Sequence, residues 1–298
     1  MKRKFIAIFA VAFALCLAML AFTGCQQQSG GSDEAAPAED AAAAPAEDAA
    51  APAADATALD GLIDGALVVG FDQDYPPYGF VGDDGSYTGF DLDLAQEVCA
   101  RNGWEYKATP INWDAKDGEL NGGAISCIWN GFTMEGREDG YTFSAPYMDN
   151  GQVVVVKADS GIADLDGLAG KTVATQVDSA ALEVLEGDQA AVAATFAALE
   201  QRDNYNTAFM ELEAGAVDAV ACDLSIAAYQ MSAKPDVYVV LPTQLSAEHY
   251  AVGFKLGNQA LADTVTATLQ EMTADGTIQK LCEKYAEYGI SFDNWVLK

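Results

Sequence analysis

From residue 67 onward the chain alternates between two hydrophobic periods. Residues 67–71, Leu67-Val68-Val69-Gly70-Phe71, form a short apolar run that reads as a buried strand and ends at a carboxylate, Asp72. A helix start follows at Gly89-Phe90-Asp91. Asp91 looks like its N-cap, with Leu92, Ala95, Val98 and Cys99 on one face and Gly103 as the stop. Residues 104–108 and 124–129 read as further strands, with a short helix over 113–120 between them. An apolar run at 153–157 leads into a second unit. This unit comprises strand 171–176, helices 180–185 and 204–213, and strands 217–222 and 237–241. Near the C-terminus, Leu261, Val265, Leu269 and Met272 recur at helical spacing, as do Ile278, Leu281, Cys282 and Tyr285. Strands alternating with helices predict an α/β fold with parallel sheets covered on both faces, here in two units.

The first strand delivers more than a carboxylate. Immediately after it comes Tyr75-Pro76-Pro77-Tyr78-Gly79-Phe80, then a Gly-rich turn from Gly82 to Gly85. Ligands of open α/β sheets sit outside the carboxyl ends of the strands, and prolines hold a loop there with little entropy left to lose on binding. An acid and a rigid aromatic wall at that place are the makings of a binding site.

The N-terminal end has another character. Lys2, Arg3 and Lys4 precede an apolar run at 5–22, and Ala21-Phe22-Thr23-Gly24 sets small residues before Cys25. That order predicts a lipoprotein export signal over 1–24 with Cys25 as the lipidation site; an uncleaved membrane anchor is the other reading. Residues 25–57 are rich in Ala and Pro and carry seven acids without a base. With no large apolar side chain to bury, they are expected to form a disordered, extended tether. Residues 58–298 suffice for two ordinary domains. The formal charge is −30, or −33 without the three basic leader residues. Nucleic acid and anionic lipid surfaces are poor partners for such a chain.

Cys99, Cys127, Cys222 and Cys282 fall on apolar faces and suit buried free thiols better than disulfides. There is no C-x-x-C and His249 is the single histidine, so no metal site and no cofactor are expected. His249 reads as a surface residue.

Several segments resemble, in order and spacing, the bacterial extracellular solute-binding proteins of family 3, the amino-acid receptors of ATP-binding cassette importers. These are the stretch from Leu67 to Asp93, Trp129-Asn130-Gly131-Phe132-Thr133 with Arg137, Phe143-Ser144-Ala145-Pro146-Tyr147, Leu168-Ala169-Gly170-Lys171, Val217-Asp218-Ala219-Val220 with Asp223, and Asp275-Gly276-Thr277. The resemblance implies a two-lobed periplasmic-binding-protein fold of type II, hinged on two crossover strands, with the return crossing at 250–255. Lobe 1 would comprise 58–151 plus 246–298, and lobe 2 would comprise 152–245.

It also implies a site. The carboxylate of a free amino acid is best held by a bidentate Arg plus hydroxyl or backbone N–H donors, and its ammonium by a carboxylate. The matching positions are Thr133 and Arg137 for the first, with Gly131 allowing close backbone approach, and Asp223 for the second. Thr133 and Arg137 stand one residue closer than in the common family pattern. Tyr75, Trp113 and Trp129 match the walls of the family pocket, although Trp129 is equally readable as core. Asp72 matches a position that contacts the ligand side chain. Gln176 and Ser179 fall in the segment that donates to the ligand carboxylate, where Asp178 replaces a frequent Gly.

The expected partners are therefore a polar neutral or basic amino acid, the permease subunits of an importer, and the membrane through the lipid. A ligand-presenting sensor for a membrane receptor would use the same binding chemistry. A lyase or dehydratase on this fold would need an acid and a base poised near neutrality, and the expected cleft holds no evident histidine, cysteine or lysine.

Overall fold

The computed structural model describes residues 59–298. The leader, the Cys25 lipidation site and the tether lie outside the described residues. Strand β1 (Ala66–Phe71) is buried along its whole length. It runs into a small antiparallel sheet of β2 (Asp74–Tyr75), β3 (Gly79–Val81) and β4 (Tyr87–Thr88) that carries the Tyr–Pro cluster.

Helix α1 (Phe90–Asn102) follows and stops at Gly103 in the left-handed conformation. Its N-cap is Gly89, one residue before the helix and two before Asp91. Gly89 has φ 146°, and a Cβ there would lie 2.1 Å from the Tyr78 carbonyl oxygen. The backbone thus crosses the Tyr78 segment too closely for a side chain, which brings the helix start forward. Asp91 is thereby moved from the cap into the first turn, where it faces the interior.

The first sheet continues with β5 (Glu105–Pro110), a 3-10 turn at Trp113–Ala115, α2 (Lys116–Gly122), β6 (Cys127–Ile128) and β7 (Tyr141–Phe143). Strands β5, β1 and β6 are parallel. Strand β6 keeps only two of the six residues expected at 124–129, Cys127 and Ile128, although the Ser126 and Trp129 amides on either side still donate to β1 carbonyls.

The long strand β8 (Met148–Lys157) leads into the second sheet, and Val153 to Val156 form its dry centre. This sheet holds β9 (Thr172–Gln176), β10 (Ala198–Arg202), β11 (Ala219–Asp223) and β12 (Tyr238–Val240) in the order β10-β9-β11-β8-β12. Its helices are α3 (Ala180–Glu186), α4 (Ala190–Ala193), α5 (Tyr205–Ala214) and α6 (Leu224–Ala233). Strands β9, β10 and β11 are parallel, whereas β8 and β12 are antiparallel to their neighbours. Each unit is therefore a parallel core with antiparallel additions, not a wholly parallel sheet.

The chain returns on β13 (Ser246–Tyr250), which pairs antiparallel with the start of β8, His249 opposite Asp149 and Ser246 opposite Gln152. The return is thus earlier than 250–255. Residues Gly253–Lys255 instead form β14 of the first sheet, between β6 and β7. Helices α7 (Gln259–Ala274) and α8 (Thr277–Lys284) then pack on α1. Leu261, Val265, Leu269, Met272, Ile278 and Cys282 are buried, as their helical spacing predicts. Cys99, Cys127, Cys222 and Cys282 are all buried and free.

Candidate ligand-binding site

Three stretches distant in sequence meet at the Asp91 carboxylate. Its Oδ2 accepts from the Gly131 amide at 2.6 Å and from the Tyr147 hydroxyl at 2.7 Å. Burial pushes Asp91 up to about 7, against the pull of these donors. The bond to Gly131 fixes the loop that leaves β6. Gly131 has φ 56°, and a Cβ there would meet the rings of Tyr75 and Tyr250 at 3.0 and 3.1 Å. Asn130, the preceding residue, accepts from the Asp72 amide at 2.8 Å, so the same loop also secures the end of β1.

Tyr75, Trp113, Gly131, Thr133 and Arg137, on or beside the first sheet, converge with Gln176, Ser179, Ala180 and Asp223 of the second. They enclose a cavity of about 10 Å³, room for about one water molecule. Arg137 is buried over the Phe132 ring, its guanidinium carbon 4.9 Å from the centroid. Its Nη2 reaches Glu183 of α3 at 3.0 Å, and its Nη1 bonds weakly to the Thr133 carbonyl at 3.4 Å. Ser179 caps α3 by accepting from the Leu182 amide at 3.2 Å and donates to the Gln176 carbonyl at 2.8 Å. Asp178 has φ 56°, which accounts for glycine being at ease at this position. Its carbonyl accepts from Trp113 Nε1 at 3.1 Å and its carboxylate pairs with the buried Lys116, so two more contacts tie the sheets together.

Asp223 stands at the N-cap position of α6, but its side chain caps nothing. Its Oδ1 instead accepts from Tyr250 at 2.9 Å, Gln152 at 2.7 Å and Asn150 at 3.1 Å. The same two amides also donate to Glu248 Oε1, at 2.8 Å from Gln152 and 2.7 Å from Asn150. The Thr133 hydroxyl donates to that oxygen too, at 2.9 Å. Burial and the nearby Asp223 charge push Glu248 up to about 7. The sequence did not mark Asn150, Gln152 or Glu248 as site residues. The one available signal was a cluster of polar side chains on strands that also had to be buried.

Asp72 lies beside this cavity rather than in its lining. Its Oδ2 accepts from Gln176 Nε2 at 2.7 Å, and burial raises it to about 6. With Trp113 it lines an adjoining cavity of about 510 Å³ between the two sheets. Asp74, Asp114, Glu119 and Asp203 also line that space, and among the described residues no basic side chain does. Trp129 lines neither cavity; it is fully buried in the main core. His249 is partly exposed and bonds Glu135 at 2.7 Å.

Two lobes joined by the β8–β13 pair, with polar groups of both facing one cleft, are the architecture of a hinged solute receptor. The chain belongs to the bacterial extracellular solute-binding proteins, family 3, whose model matches residues 67–288. It is 32% identical over 224 residues to the L-cystine-binding protein TcyJ of Escherichia coli strain K12, a match covering 74% of this chain and 82% of TcyJ. Among solved structures it resembles a histidine-bound substrate-binding protein of an ABC uptake transporter from Streptococcus pneumoniae. That match has a TM-score of 0.73 at 31% identity and covers 77% of this chain and 95% of the other. An ancestral arginine-binding protein bound to arginine matches with a TM-score of 0.68 at 33% identity, covering 74% and 98% respectively.

Proposed function

We propose that this chain is the extracytoplasmic receptor of an ABC importer, capturing a polar neutral or basic amino acid between its lobes by hinge closure. The observation that carries the proposal is the convergence of Arg137 and Thr133 from one lobe with Asp223, Gln176 and Ser179 from the other on a single cavity. Arg137, Thr133 and the Gly131 backbone would hold the ligand carboxylate, and Asp223 its ammonium. Tyr75 and Trp113 would pack on its stem. At about 10 Å³ the cavity is far too small for an amino acid, so the lobes must part to admit one. The adjoining, carboxylate-lined space supports the choice of side chain: an acidic ligand would meet like charge there, whereas a hydrogen-bond donor or cation would not. The histidine held by one solved relative and the arginine held by the other fit this reading.

In this reading lobe 1 is 58–151 plus 246–298, lobe 2 is 152–245, and a lipid on Cys25 holds the receptor at the membrane. The chain acts as a carrier and catalyses nothing. A thermal-shift screen of the free amino acids, followed by mass spectrometry of ligand retained by the purified protein, tests the proposal. Stabilisation by a neutral polar or basic amino acid is expected. Stabilisation by none, or best by glutamate or aspartate, rejects it.

A further inference from the structure

We infer that Glu248 is a second carboxylate of the ammonium site, and that an amino acid docking on Asp223 drives a proton from Glu248 into solvent. The inference rests on the amino-acid reading above.

The two carboxylates come from different elements, Asp223 from the end of β11 and Glu248 from β13, yet they share their donors. Gln152 Nε2 bonds both, at 2.7 and 2.8 Å, and Asn150 Nδ2 bonds both, at 3.1 and 2.7 Å. Asn150 and Gln152 are two apart on β8, so they present the same face to the pair. All three of Gln152, Asp223 and Glu248 are buried. The group is rich in acceptors: Gln152 Oε1 finds no donor among the described residues. Thr133 donates to Glu248 and Tyr250 to Asp223, and among the described residues no cationic side chain bonds either carboxylate. Arg137, the base that lines the small cavity with Asp223, is spent on Glu183 and the Thr133 carbonyl. On its outer side Glu248 shares a cavity with Glu135, Glu183 and Asp188, which add negative charge. His249 on the same strand faces Glu135 and Asp149.

Two like charges held on common donors in a dry site cannot both ionise cheaply. Burial first, and the Asp223 charge second, hold Glu248 up at about 7. A ligand ammonium on Asp223 neutralises that second cause. Glu248 then gives up its O–H proton to water while the ammonium keeps all of its own, so up to one proton leaves for each ligand bound. Below about pH 7 capture has to expel this proton, so affinity rises with pH and levels off above neutrality.

The test is calorimetric titration of the protein with L-glutamine and L-arginine at pH 6, 7 and 8, in two buffers of different ionisation enthalpy. Affinity should rise about tenfold from pH 6 to pH 8, with up to one proton released per ligand at the lower pH. Glu248→Gln should abolish both effects, whereas His249→Gln should retain them. If the parent binds but exchanges no proton, or if the pH slope survives in Glu248→Gln, the inference is overturned and the amino-acid reading stands. Proton release is measured in the parent, so the outcome does not depend on any variant folding. If neither binds, the titration is repeated with each remaining neutral polar or basic amino acid, and failure of the parent to bind any of them at any pH overturns both.

Discussion

Gln176 Nε2 donates to Asp72 Oδ2 at 2.7 Å, joining the end of β9 to the end of β1 across the cleft. This bond links a side chain lining the small cavity to one lining the larger, carboxylate-lined cavity. A ligand whose side chain passes that point would exchange Gln176 for its own donor on Asp72. Asp72→Asn should therefore weaken L-arginine by about tenfold, roughly 1.4 kcal/mol, and L-glutamine by much less. Isothermal calorimetry with both ligands measures the difference. Equal losses would place the ligand side chain elsewhere.

The clamp itself predicts larger effects. Arg137 and Asp223 approach the cavity from different lobes, so neither lobe alone satisfies a zwitterion. Removing either side chain should cost roughly 2–5 kcal/mol in binding, as for other truncated buried charge pairs. Arg137→Lys should lose most of the affinity as well, because an ammonium lacks the planar fork. Small-angle scattering of the parent should show compaction when ligand is added. Near-parental affinity in Arg137→Ala and Asp223→Ala, or an unchanged scattering profile, would eliminate the clamp.

Stability should fall as the solution becomes more alkaline. Asp72, Asp91 and Glu248 are raised from 3.8, 3.8 and 4.5 to about 6, 7 and 7, in each case chiefly by burial. Folded values above unfolded ones mean that the native state holds protons the unfolded chain has already released. This contribution is complete near pH 4 and is lost as pH rises through 6 and 7. Self-repulsion of a strongly acidic chain acts in the same direction. Scanning calorimetry should give a melting temperature at pH 5 higher than at pH 8 by about 5 °C or more. A melting temperature that climbs over this interval would contradict the burial of these carboxylates.

The anchor is tested by mass. Processing behind Gly24 should leave mature protein that begins at a lipidated Cys25, and Cys25→Ala should release or misprocess it. An intact mass that retains residues 1–24 would rule this out.

Much of the fold was legible because burial leaves a period. The all-apolar β1 and the i, i+3, i+4 spacing of α7 and α8 read directly. What the pattern missed was set by contacts remote in sequence. Asp91 looks like a cap until the close approach of Gly89 to Tyr78 shifts the helix start and turns Asp91 toward Gly131 and Tyr147. Strand 124–129 shrinks to Cys127–Ile128, most of the loss lying at its start. In the site, Tyr75, Trp113, Gly131, Thr133, Arg137, Gln176, Ser179 and Asp223 were visible through the family resemblance, and the structure brings them together. Glu248 and Gln152 escaped notice, since their meaning comes only from strand pairing: β11 sets Asp223 opposite Gln152 on β8, and β13 sets Glu248 opposite Asn150.

The buried thiols carry a consequence for life in an oxidising compartment. Burial pushes Cys99 and Cys282 up to about 12, and it raises Cys127 and Cys222 well above the ordinary thiol value too. Thiolate is the form that attacks oxidants and disulfides, so these four sulfurs are nearly inert in the native protein. No disulfide joins the described residues, which are held by packing, hydrogen bonds and ion pairs. These residues need no oxidative step to reach their fold, and the pairing of β8 with β13 should work alike in reducing and oxidising surroundings.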